Sequence, residues 1–212
     1  MAREDEVAGL MENYVSSGRV DCTEALYLWA RGVPGEIIAS SLRVRYGIGT
    51  GYSEIIKELK RLKIKGPQDR ASDTETPVGK IIVDLFLEKI TPILAERILS
   101  SAMTLPEEVR KLLVAMHRAG VLRGGKMVSR ETVMAVYRAV HGESLDGFAL
   151  ENALRLLVKA CIVERLEGDK VILPNYLDLV LDKLLSILRG EPVEMPEVSR
   201  EELEKLFKGA GL

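Results

Sequence analysis

A chain of 212 residues with 47% apolar side chains has material for one large domain or two small ones. No apolar run approaches the ~20 residues of a membrane-spanning helix, and the charged start MAREDEV lacks an apolar signal region, so the expectation is a soluble, cytoplasmic protein with no membrane partner. A net charge of −2 excludes a globally basic nucleic-acid binder.

The first helix is expected over 4–17, with Val7, Leu10, Met11, Tyr14 and Val15 on one side and Gly18 as its stop. Asp21-Cys22-Thr23-Glu24 resembles a capping box opening a second helix through Trp29. Gly32 ends it, and Pro34 opens a third helix, Glu36–Tyr46. After the glycine-rich 47–51 comes a fourth, Tyr52–Leu62, with Ile55, Ile56, Leu59 and Leu62 spaced for one face.

Residues 66–77, GPQDRASDTETP, are polar and hold two prolines, which marks a linker or an exposed loop. Apolar helices are predicted at 78–90 and 92–103, with Thr104 capping a helix at 106–119. A short strand is expected at Lys126–Val128. Ser129 would cap a helix at 130–141, and Asp146 or Ser144 one at 147–159. Ile162–Leu166 and Lys170–Leu173 are β-rich runs around Glu167-Gly168-Asp169, a hairpin whose Gly168 suits positive φ. A long helix, 176–189, carries Leu177, Val180, Leu181, Leu184, Leu185 and Leu188. Beyond a second linker, Ser199 and Glu202 form a capping box for a short helix ending at Phe207.

The stretch LRLLVKACIVERLEGDKVIL at 154–173, a helix running straight into a hairpin behind two earlier helices, resembles the winged-helix superfamily over about 107–176. Cys161 stands where the family's Lys-Ala-Gly-Leu-Val-Glu-Arg form has glycine, and cysteine tolerates positive φ poorly. The resemblance implies a DNA-binding module whose third helix enters the major groove. It assigns Asn152, Arg155 and Lys159 to the DNA face, with Arg165 and Lys170 near the wing. Glu151, Glu164, Glu167 and Asp169 are interleaved and oppose phosphate, so a protein-docking role stays open.

Basic charge gathers in two segments. Residues 36–66 carry seven Lys/Arg against three Asp/Glu, and 107–173 carry eleven against nine. Residues 36–62 resemble a helix-turn-helix, with Ala39 allowing close approach and Lys57, Lys60, Arg61 and Lys63 on the groove-facing helix. The same residues also resemble a helix-hairpin-helix, whose Gly47-Ile48-Gly49 turn offers N–H groups to a phosphate. Arg43 and Arg45 complete the basic set, and an ordinary flexible turn between core helices is the third alternative.

No catalytic constellation, metal site or cofactor motif emerges. His117 and His141 have no Cys, Asp or Glu at ligand spacing. Gly120 to Lys126 matches GxxxxGK, but a helix precedes it and Met127 follows the lysine. Cys22 and Cys161 read as buried thiols of a reducing compartment. A single glutamine, Gln68, amid abundant Glu, Lys and Arg suggests a thermophile.

The expected architecture is mainly α. An N-terminal helical unit of helix-turn-helix or helix-hairpin-helix type (1–65) precedes the linker (66–77), a winged-helix domain (78–190) and a tail (191–212). The expected function is non-enzymatic binding of double-stranded DNA in transcription regulation or genome maintenance. The alternatives are a winged-helix protein-docking module and an accessory subunit of a nucleic-acid-processing complex. The 176–189 helix is a candidate for burial against the 78–90 helix of the same chain or, equally, for a homodimer surface, and 199–208 is a lid on the core or a site for a protein partner.

Overall fold

The computed structural model describes residues 2–47, 50–64 and 77–192. The expected linker at 66–77, except Pro77, lies outside them, as do Gly49 and the tail helix at 199–208. Among the described residues the protein is predominantly helical with one small antiparallel sheet. They divide into two compact units, 2–93 and 94–192.

The first unit is built around α2 (Val20–Ala30). This helix is apolar on nearly every side, and only Trp29 of its eleven residues is not buried. An all-round apolar helix must be enclosed by others. The neighbours are α1 (Ala2–Ser16), α3 (Gly35–Tyr46), α4 (Thr50–Arg61) and α5 (Pro77–Lys89), each in contact with α2. Val7 and Met11 of α1, Ile38 and Leu42 of α3, Ile55 and Leu59 of α4 and Ile82 of α5 are all buried. Tyr27 stacks on Phe86 with ring centroids 4.0 Å apart and planes 11° from parallel. Because α5 packs on α1 and α2, it belongs to this unit, whereas the sequence pattern grouped 78–90 with the second domain.

Two glycines let these helices come close. A Cβ at Gly51 would stand 2.9 Å from Asp21 Oδ2 and 3.0 Å from the Asp21 carbonyl oxygen. One at Gly35 would overlap the Tyr52 ring. The expected capping box at Asp21–Glu24 does not form, because both carboxylates are drawn into the interior. The N-cap is Arg19, without a side-chain cap bond, while Asp21 binds Arg19 and Glu24 binds Arg45 and Tyr46.

In the second unit, α6 (Thr91–Met103), whose first three residues still belong to the first unit, leads to α7 (Glu107–Arg118), and the order continues with β1 (Met127–Ser129), α8 (Arg130–His141), α9 (Gly147–Lys159), β2 (Arg165–Glu167) and β3 (Lys170–Ile172). The sheet order is β1-β3-β2, antiparallel throughout, with Val128 opposite Val171 and Leu166 opposite Val171. Val109, Leu112, Leu113 and Met116 of α7, Val133 and Tyr137 of α8, and Leu150, Leu154 and Leu157 of α9 are buried, and α7 contacts both other helices.

Local chemistry sets the boundaries. Ser129 caps α8 by accepting from Thr132 N at 3.0 Å, and Asp146 caps α9 by accepting from Ala149 N at 2.7 Å. Gly168, at φ 56°, takes the first central position of the two-residue β2–β3 turn, where a type II′ turn needs glycine. Thr104 does not cap α7; its hydroxyl donates back to Ser101 O, and Pro106 is the N-cap.

Cys161 adopts φ 61° despite its side chain. Its N–H reaches Val158 O at 3.1 Å, and the Ile162 N–H reaches Leu157 O at 3.0 Å. These two bonds form a Schellman cap, and they hold a cysteine where glycine is usual.

The expected helix over 176–189 is broken. Asn175–Leu179 is a 3₁₀ turn, Val180 sits at φ −119°, and α10 runs Leu181–Arg189. The turn is pinned by the Gly124 N–H donating to Asp178 Oδ1 at 2.8 Å. Leu177, Val180, Leu184, Leu185 and Ile187 are buried, and α10 contacts α7. Of the two roles open to this apolar face, burial within the chain takes up most of it, against α7 and not the 78–90 helix.

Candidate nucleic-acid interface

Most of the residues that the sequence assigns to DNA fall on two surfaces, one per unit; Arg45 and Arg165 are turned inward. In the second unit the surface is α9. Its buried side is Leu150, Ala153, Leu154, Leu157 and Val158. Its outward side is a stripe at helical spacing: Phe148, Asn152, Arg155, Leu156 and Lys159, all exposed. Among the described residues Asn152 and Lys159 have no hydrogen-bond or ion-pair partner. Arg155 is held by Glu151 Oε1 at 3.2 Å, and Glu151 Oε2 also takes Arg130 at 2.7 Å. One carboxylate thus spreads over two guanidinium groups.

The hairpin is less cationic than its sequence suggested. The Arg165 side chain is 11% exposed, ion-paired to buried Glu164 and to Glu167 Oε1 at 2.7 Å. It is turned inward and does not project to solvent. Lys170, at the hairpin turn, is exposed.

In the first unit Arg43, Lys57, Lys60, Arg61 and Lys63 are exposed, as is the backbone at Gly47. Gly47 is the left-handed C-cap of α3, at φ 73°, and its N–H donates to Arg43 O. The first turn of α4 lies beside the Asp21 carboxylate at Gly51, a neighbour that opposes a phosphate there.

Arg45 does not belong with this basic set. It is 1% exposed and ion-paired with Glu24, which is 2% exposed and also accepts from the Tyr46 hydroxyl at 2.7 Å. The reason is register: Ile38, Leu42, Arg45 and Tyr46 share the buried side of α3. That i, i+4, i+7, i+8 spacing was legible, but a charge-blind pattern does not show which basic residue has an acid waiting inside.

Sequence reasoning also missed Phe148. At 78% exposure it is the most exposed large apolar side chain among the described residues. Its spacing to Asn152 and Arg155 places it on the polar side of α9, and that spacing was the available signal.

The remaining sequence motifs resolve into structural roles. His141 Nε2 lies 3.0 Å from Lys111 O and its ring tilts against Tyr137. The Gly120–Lys126 loop is filled by its own chain: a Cβ at Gly124 would meet Asn175 O at 2.6 Å. Cys22 and Cys161 are free and buried. Among the described residues no group of three His, Cys, Asp or Glu is placed to hold a metal ion, and no helix is long and apolar enough to cross a membrane.

Comparison with known proteins gives no match: no protein family, curated protein or solved structure matches this chain.

Proposed function

We propose that this chain is a non-enzymatic double-stranded DNA-binding protein, acting in transcription regulation or genome maintenance, whose second unit is a winged helix. The observation that carries the proposal is the outward stripe of α9, where Asn152, Arg155 and Lys159 stand uncovered in a unit that also holds a three-stranded sheet with a tight hairpin. The helix–strand–helix–helix–strand–strand order supports the same reading. Asn and Arg pair with base edges, and Lys neutralises phosphate. On this reading α9 lies in the major groove and Lys170 contacts the backbone.

A second reading has its own observation. Phe148 and Leu156 are exposed on the same stripe, and Glu151 offsets part of the charge of Arg155. An aromatic anchor within a polar surface is the composition of a protein-docking face. On that reading the unit docks a partner in a larger complex.

Fluorescence anisotropy with duplex DNA at several salt concentrations separates the two. DNA binding predicts micromolar or tighter affinity, a negative log–log salt slope, and weakening by Lys159→Ala and Asn152→Ala. No binding even at low salt overturns the proposal in favour of docking.

A further inference from the structure

The exposed side of α4 carries Ser53, Lys57, Lys60 and Arg61, with Lys63 just past the helix end. The acids of this helix are Glu54 and Glu58, and both are committed. Glu54 binds Arg19 at 2.8 Å, and Glu58 binds Arg61 Nε at 2.8 Å. Each carboxylate on α4 is therefore tied to an arginine, and the lysines are left over. Among the described residues Lys57, Lys60 and Lys63 have no ion-pair partner. Lys57 and Lys60 rise about 4.5 Å apart along the helix axis, and Lys63 follows past its end.

The chemistry of this row differs from that of α9. A lysine ammonium is a compact point charge suited to phosphate, with no planar fork for a base edge. The exposed side holds no Asn or Gln, and its arginine is engaged by Glu58. Sequence is read by paired donors and acceptors at base edges, whereas phosphate contacts carry no sequence information.

We infer that α4 is a sequence-independent phosphate rail, a second DNA contact that holds the duplex by its backbone and reads no bases. The inference rests on the DNA-binding reading above and departs from the helix-turn-helix expectation that placed this helix in a groove. Binding is divided between the units: α4 supplies affinity for any duplex, and α9 supplies discrimination.

The test uses the full chain and two unrelated duplexes, one AT-rich and one GC-rich, titrated at several salt concentrations. Replacing Lys57 and Lys60 together by glutamine removes two phosphate contacts. The salt slope should become shallower by about 2, at roughly 0.9 per contact, and affinity should fall by the same factor for both duplexes. An unchanged slope, with the parent protein still binding, overturns the rail and leaves the DNA-binding reading intact. Unequal losses on the two duplexes also overturn it, because α4 would then be reading bases. If the parent protein binds neither duplex at low salt, the DNA-binding reading itself fails and the rail falls with it.

Discussion

Arg45 shows how one side chain can change category when the chain folds. As a basic residue beside Arg43 it reads as a phosphate contact, yet it is enclosed with Glu24 and Tyr46. Removing one partner of a buried pair leaves the other charged without compensation, at a cost of roughly 3–5 kcal/mol. Arg45→Ala should lower the unfolding free energy by about that amount in urea titrations. Replacing Arg45 and Glu24 together by Met and Leu should cost much less. Lys63 is the opposite case. It is exposed at φ 55°, with its N–H on Lys60 O and the next N–H, of Ile64, on Leu59 O, so a left-handed cap is held by a residue with a Cβ. Lys63→Gly relieves that strain and should raise stability by about 1 kcal/mol, measured by the same titration. The equivalent change at Cys161 would also delete a buried thiol, so its gain is offset.

At the scale of elements, capping and the hydrophobic stripe together decide where α9 points. Asp146 fixes the start, the cap at Cys161 fixes the end, and five buried apolar residues fix the rotation. Asp146→Ala removes the bond to Ala149 N and should cost about 1 kcal/mol, seen as a lower denaturant midpoint. The α8 and α9 boundaries and their side-chain caps were legible because Ser129 and Asp146 act on backbone within three residues. The capping box expected at Asp21 and the cap expected at Thr104 failed because a side chain that finds a better partner leaves the helix end. The break at Val180 was not legible either: the 3₁₀ turn is pinned by Gly124, 54 residues earlier in the chain.

At the scale of the molecule, the first unit has an alkaline limit built into its packing. Burial, followed by the Asp21 charge, pushes the Cys22 thiol well above its ordinary 9.0. Burial, followed by Cys22, pushes Tyr14 above its ordinary 10.0. In the unfolded chain both groups titrate at ordinary values, so above about pH 9 unfolding releases protons and stability falls as pH rises. Below about pH 9 this contribution is fully present. Cys22→Ala should therefore flatten the loss between about pH 9 and 10 and leave the later loss from Tyr14, as read from urea midpoints across pH 7 to 11.

The sequence by itself determined the helical class, the short hairpin, most helix boundaries and the polar stripe of α9. Each depends on periodicity or on bonds spanning a few residues. Only the tertiary structure decided which charges are available. Arg45 and Arg165 pair with acids and turn away from solvent, while the α4 lysines stay free of the acids on their own helix. It also assigned α5 to the first unit and used up most of the apolar face of 176–189 within the chain. Burial and ion pairing depend on residues distant in sequence, and local pattern carries no record of which of them meet.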